Sequence, residues 1–329
     1  MEGNATAAVD GIELQAQLGS TDVEQLRQLV DDATRVDGTE PLGEHALLHL
    51  RHGSLPHAEH VVAREDGLLV GYAHLDPTER SSGATAEIVV SPVHRGHGIG
   101  TALVEKMLAH VAPAGLRLWA HGNSPGARRL ADALGFRRVR DLWQMRLDWK
   151  REDTPDLPDE PELLEGVTVR TFRPGSDDEA WVQVNARAFA EHPEQGSLTL
   201  ADLRARMAEP WFDPAGFFLA ATRDEAIVGF HWTKVHGGSP DHAHEPVGEV
   251  YVLGVDPAAQ GSGLGRAMTI IGLRHLRERG LEQVMLYVDG ENAAAIRTYS
   301  RLGFIHESTD VMYERTPGHS VGDARTVSR

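Results

Sequence analysis

The chain contains no cysteine. That absence excludes disulfides, thiolate metal sites and a cysteine nucleophile, so acyl transfer would have to pass straight to its acceptor or through another residue. No apolar stretch approaches the length that spans a bilayer, and residues 1–10 lack a basic segment followed by an apolar run. Neither a membrane protein nor a secretory leader is therefore expected, and the expected location is cytoplasmic. Basic residues are in the minority, 32 against 49 acidic ones for a formal net charge of -17. That balance argues against nucleic-acid binding, which needs a strongly basic surface. The 18 histidines are scattered, with no pair in ligand spacing backed by carboxylates, so no metal is expected. His242 and His244 lie in a polar Gly/Pro-rich stretch that reads as a solvated loop.

What is present is a repeat. Ile88-Val89-Val90-Ser91-Pro92, then Arg95-Gly96-His97-Gly98-Ile99-Gly100-Thr101, returns as Leu253-Gly254-Val255-Asp256-Pro257, then Gln260-Gly261-Ser262-Gly263-Leu264-Gly265-Arg266. Downstream, Leu134-Gly135-Phe136 returns as Leu302-Gly303-Phe304. Each copy reads strand, turn, glycine loop, helix, and a chain of 329 residues accommodates two domains of ordinary size. The acidic, proline-rich stretch at 151–165 is expected to link a domain at 1–150 to one at 166–315, with a polar tail at 316–329. The expected fold is mixed α/β: antiparallel hairpins, the glycine loop, a long helix, then strand, helix and strand.

A glycine-rich turn that opens a helix aims several unpaired N–H groups at one point, to which the helix dipole adds positive charge. Such a point binds phosphate. Gly96, Gly98 and Gly100, and Gly261, Gly263 and Gly265, all qualify in sequence. Neither loop ends in the Lys-Ser or Lys-Thr of a nucleoside-triphosphate loop, and both follow hairpins instead of the first strand of a parallel sheet.

The pattern Gln/Arg-x-x-Gly-x-Gly after an apolar strand, followed by Asn, Tyr and Leu-Gly-Phe, resembles the acetyl-CoA signature of the GNAT superfamily of N-acetyltransferases in both halves. The resemblance implies that acetyl-CoA is the co-substrate. In the second half its pantetheine arm would align on Leu253, Gly254 and Val255. Its pyrophosphate would sit on Gln260, Gly261, Ser262, Gly263, Leu264, Gly265 and Arg266. Asn292, Ala293, Ala294, Ala295, Ile296 and Arg297 would flank the arm. Ile88, Val89 and Val90, with Gly96, His97, Gly98, Ile99, Gly100 and Thr101, would serve the first half in the same way.

An amine acceptor is largely protonated near neutral pH, so it needs a base before it can attack a thioester, and the departing thiolate gains from an acid. Glu249 on the motif strand is assigned as base, through a water, and Tyr299 as acid. The competing reading makes Glu249 a surface strand residue and Tyr299 a packing aromatic. Counting back from Ser91-Pro92 puts Ala84 at the Glu249 position, and Leu130 or Ala131 stands for Tyr299. Glu87 has the wrong strand parity unless a bulge resets it. The first half is thus expected to keep a cradle without chemistry.

Longer runs, among them Ala190-Glu191-His192-Pro193-Glu194-Gln195-Gly196 and Gly229-Phe230-His231-Trp232-Thr233-Lys234-Val235-His236, resemble the tandem members of this superfamily that complete mycothiol synthesis. The resemblance implies acetylation of the cysteinyl amine of a cysteine-glucosamine-inositol pseudodisaccharide. It also implies substrate contacts from Glu44, Glu194, Lys234, Glu249 and Tyr287. Glu44 lies in the first half, so its use would require that half to close over the second half's active site. The partner expected is this small molecule, with no nucleic acid or membrane, and the chain is expected to act as a monomer. Two other readings stay open: an acetyltransferase for another small amine, such as an aminoglycoside or polyamine, and a non-enzymatic acetyl-CoA-responsive module.

Overall fold

The computed structural model describes residues 11–52, 58–77, 83–158, 161, 163–237 and 245–316. His242, His244 and nearly all of the expected tail lie outside them. The chain divides into two compact units, one of Met1–Leu142 with Thr309–Arg329 and one of Trp143–Ser308.

The first unit runs β1 (Gly11–Gln15), α1 (Ser20–Asp37), α2 (Glu44–His52), β2 (Glu59–Glu65), β3 (Leu68–Asp76), β4 (Ala84–Val90), α3 (Ile99–Val111), β5 (Leu116–Ala120) and α4 (Pro125–Ala133). β6 (Arg137–Asp148) starts in this unit and ends in the second. The second unit continues with β7 (Val167–Thr171), α5 (Asp178–Ala188), α6 (Pro193–Gly196), α7 (Leu200–Met207), β8 (Phe217–Thr222), β9 (Ile227–His236), β10 (Val247–Val255), α8 (Leu264–Glu278), β11 (Gln283–Asp289) and α9 (Ala293–Arg301). β12 (Ile305–Arg315) closes the sequence. Strand order is β1-β2-β3-β4-β5-β12 in the first unit and β6-β11-β10-β9-β8-β7 in the second.

This division differs from a linear boundary at the acidic linker. Val311 to Arg315 pair antiparallel with Leu116 to Ala120 in the first unit, while Met145 and Leu147 are buried in the second unit's core. Strand pairing and side-chain burial outweigh proximity along the chain.

Each sheet is covered on both faces, because alternate strand residues turn their apolar side chains to opposite sides. In the second unit, Val250, Val284 and Leu286 pack with Ile270 and Leu273 of α8 and Tyr299 of α9. Phe217, Leu219, Phe230 and Trp232 pack with Trp181 of α5 and Leu203 of α7 on the other face. α7 is started by a capping box in which Thr199 and Asp202 satisfy each other's exposed N–H groups, a device worth about 1 kcal/mol.

Two strand features position the site. The parallel β10–β11 ladder runs from Val247–Gln283 to Val250–Leu286 and stops there, although both strands continue. The first unit repeats this, its β4–β5 ladder ending at Glu87–Trp119. The antiparallel β9–β10 ladder slips between Val250 and Val252, so Tyr251 is an extra residue. β3–β4 runs without a slip from Gly71–Val90 to Asp76–Thr85. No helix among the described residues is long and apolar enough to cross a membrane.

Candidate active site

The glycine loops adopt the same geometry in both units. Gly261 and Gly263 have φ of 77° and 87°, and Gly96 and Gly98 have 82° and 87°. A Cβ at any of the four would meet nothing within 4 Å, so backbone conformation and not space demands glycine, at about 1–2 kcal/mol for an L side chain. Gly265 and Gly100 differ. Both lie inside their helices, and an added Cβ would make ordinary contact with Val255 at 3.6 Å or Leu130 at 3.5 Å. The third glycine of each motif is therefore not conformationally required.

Gly263 and Gly98 are the N-caps of α8 and α3. Ala267 and Ala102 donate to their carbonyls, each at 3.0 Å. The N–H groups of the residues between cap and bond point out of the helix end without an intrahelical acceptor, which suits them to an anion. Ser262 instead donates its hydroxyl to the Ala259 carbonyl at 2.6 Å, and Gln260 donates to the Val255 carbonyl at 3.3 Å. Both side chains hold the loop in shape. Gly254 is glycine for packing, since a Cβ there would lie 2.6 Å from the Phe230 ring.

The proton-transfer candidates lie on different faces of the sheet. Glu249 is buried on β10 and pairs with Lys234 of β9 and Met285 of β11. Residues directly opposite in a ladder share a face, and so do residues two apart on a strand. Lys234, Glu249 and Tyr287 therefore share one face, Glu249 one position short of the last β10–β11 pair and Tyr287 one position past it. The Lys234 ammonium sits 4.6 Å from the Trp211 ring and 5.2 Å from that of Tyr251. Tyr287 is 41% exposed and accepts from Gln144 Nε2 at 3.3 Å.

Tyr299 lies on the opposite face. It packs with Val250 and Leu286 and edge-on to Phe304 at 5.8 Å, and burial pushes its hydroxyl up to about 12. It is both a packing aromatic and a neutral proton donor at physiological pH. The carboxylate and the phenol thus approach the end of the β10–β11 ladder from different sides. Asn292 caps α9, its side chain accepting from Ala295 N–H at 3.0 Å, so this asparagine serves the helix. Ala293, Ala294, Ala295, Ile296 and Arg297 form the first turns behind it. Glu194 lies in α6, and Glu44 opens α2 of the first unit.

The unslipped β3–β4 register corrects the first-half counterpart of Glu249. Gly71–Val90 matches Gly229–Val255, so Asp76–Thr85 matches Lys234–Glu249. Thr85, not Ala84, holds the position. On α4, Ser124 accepts from Ala127 N–H as Asn292 does from Ala295, which selects Ala131 over Leu130 as the residue in place of Tyr299. Neither Thr85 nor Ala131 can serve as acid or base at neutral pH.

Glu87 is engaged otherwise. It accepts from Gly43 N–H at 2.6 Å and lies 3.6 Å from His121, which is 2.9 Å from Asp310. Burial opposes charge on His121, but its bond to Asp310 and its ion pair with Glu87 outweigh that and raise it to about 10. Burial likewise opposes charge on Glu87, yet His121 and the Gly43 amide hold its carboxyl below the usual range. This network escaped the sequence reading because Asp310 is distant in the chain. His236, whose Nε2 is 2.6 Å from Glu249 Oε2, was also missed, although it sits two residues beyond Lys234 and period-2 counting could have found it. Among the described residues, no group of three or more His, Asp or Glu is placed to hold a metal ion.

A doubled glycine cradle beside a parted strand pair, with a buried carboxylate on one face and a neutral phenol on the other, defines the class: an acyl-CoA-dependent acetyltransferase. The acetyltransferase (GNAT) family model matches the chain twice, at residues 23–136 and 180–304. Mycothiol acetyltransferase of Acidothermus cellulolyticus is 56% identical over 87% of this chain and 89% of its own. That of Thermomonospora curvata is 54% identical over 92% and 97%. Among solved structures, a GCN5-related N-acetyltransferase from Sphaerobacter thermophilus aligns at TM-score 0.62 and 27% identity, covering 95% of this chain and 98% of that one. A tandem GNAT protein from the clavulanic acid biosynthesis pathway aligns at 0.68 and 21% identity, covering 94% and 100%, and supports the fold alone. The chain belongs to the GNAT acetyltransferases and, within them, to the mycothiol acetyltransferases. It is an acetyl-CoA-dependent enzyme that transfers acetyl to a small molecule in mycothiol synthesis.

Proposed function

We propose that the acceptor is the cysteinyl amine of the cysteine-glucosamine-inositol pseudodisaccharide and that chemistry is confined to the second unit. The observation that carries this reading is the buried Glu249, beside Lys234 and one residue short of where the β10–β11 ladder ends. Acetyl-CoA supplies the activated acetyl group as a thioester. Glu249 takes a proton from the acceptor ammonium through a water, leaving the nitrogen lone pair free to attack the thioester carbon. Tyr299 returns a proton to the departing thiolate. Lys234 and Tyr287 offer a donor and a donor-acceptor pair to a hydroxyl-rich body. The first unit holds a second coenzyme molecule in its own cradle without turnover.

The test is product analysis with acetyl-CoA and the desacetyl pseudodisaccharide, following thiol release. An N-acetylated cysteinyl product is expected, and release with a polyamine or aminoglycoside but not with the pseudodisaccharide would overturn the assignment. Glu249→Gln is expected to lower kcat about 10²–10⁴-fold while acetyl-CoA still binds.

A further inference from the structure

Glu249 is held by one neighbour that the mechanism above leaves out. His236 ends β9, two residues beyond Lys234 and on the same face. Its Nε2 lies 2.6 Å from Glu249 Oε2, and its side chain is 37% exposed against 8% for the glutamate. A carboxylate withdrawn from water needs compensation to stay charged, and a short bond from a ring N–H provides it. Other polar or titratable groups on this side of the sheet, among the described residues, include Lys234, Tyr251 and Tyr287, Gln144 and Arg146 of β6, which bond Tyr287 and Gln283 of β11, and buried Arg206 and Glu209 from α7 and the turn after it. Arg206 donates to the Tyr251 hydroxyl at 2.8 Å, and the Lys234 ammonium rests over the Trp211 and Tyr251 rings.

We infer that His236 is the positioning residue for Glu249: its Nε2–H holds Oε2 and turns Oε1 toward the acceptor. The inference rests on the assignment of Glu249 as base. In the step, an N–H bond of the ammonium breaks, its proton passes to Oε1 by way of the water, and the electron pair stays on nitrogen. His236 retains its own proton throughout.

The experiment compares His236→Ala, His236→Gln and Glu249→Gln in the full chain. His236→Ala should lower kcat about tenfold. It should leave the KM for acetyl-CoA unchanged. Added imidazole should restore kcat, and His236→Gln, which keeps an N–H donor, should retain most of it. A loss of kcat in His236→Ala that neither imidazole nor the His236→Gln replacement restores, or no loss at all, would overturn the inference. If Glu249→Gln kept full turnover, the base assignment itself would fall, whatever the histidine variants did.

Discussion

Tyr299 carries its hydroxyl into the α8 and α9 side of the second unit, where burial raises it to about 12. The neutral, donating form persists at every pH below that value, so any loss of kcat below about pH 10 will not come from this phenol. Tyr299→Phe should lower kcat by about 10²-fold, with KM for both substrates within about twofold and no new limb in the pH profile, as steady-state kinetics can check. A fall in KM for acetyl-CoA equal to the fall in kcat would instead point to lost ground-state strain. At this scale the sequence was informative about residue type and silent about partners. Glu249, Lys234 and Tyr287 were all named from it, yet their common face depends on the register of β9, β10 and β11. His236 went unnoticed because the pairing that gives it a role is a contact between side chains on neighbouring strands.

The loop-and-helix element separates glycines by function. Gly263 caps α8 with φ of 87°, so Gly263→Ala forces an L side chain into the left-handed region and should raise the KM for acetyl-CoA several-fold. Gly265 lies within α8 with room for a methyl group. Gly265→Ala should leave that KM nearly unchanged, so a KM series across the two variants tests the distinction. The spacing of glycines in the repeat revealed the element and its helix. It did not distinguish the required glycines from the permissive one, because that difference lies in φ and not in spacing. The ladder slip at Tyr251 was equally hidden, since an extra strand residue leaves the apolar pattern readable in either phase.

For the molecule as a whole, the two units share a trace and differ in what occupies the position where their parallel ladders part. In the first unit the His121 ion pairs with Glu87 and Asp310 are enclosed. Raised from the usual 6.5 to about 10, His121 contributes stability fully below pH 6.5, progressively less above it, and none beyond about 10. Glu87, lowered from 4.5, contributes above its usual range and loses that contribution as acid protonates it. The first unit should therefore be most stable between about pH 4.5 and 6.5. Trp119 stacks beside His121 at 6.4 Å, so denaturant midpoints followed by its fluorescence should fall from pH 6.5 to 10. His121→Ala should flatten that slope and cost about 3–5 kcal/mol by stranding two buried carboxylates. Calorimetry with acetyl-CoA should count two sites. Gly98→Val should remove one and spare turnover, whereas Gly263→Val should remove the other and abolish it.

The slip at Tyr251 lengthens β10 without turning it over. Between the phosphate-gripping turn and Glu249, β10 holds one residue more than β4 holds before Thr85. Because a bulge sets two residues against one, Glu249 still stands opposite Lys234 as Thr85 stands opposite Asp76. A three-nucleotide deletion at codon 251 would therefore leave the carboxylate on its own side of the sheet, and a working copy becomes a merely holding one by replacing that side chain, not by slipping the strand.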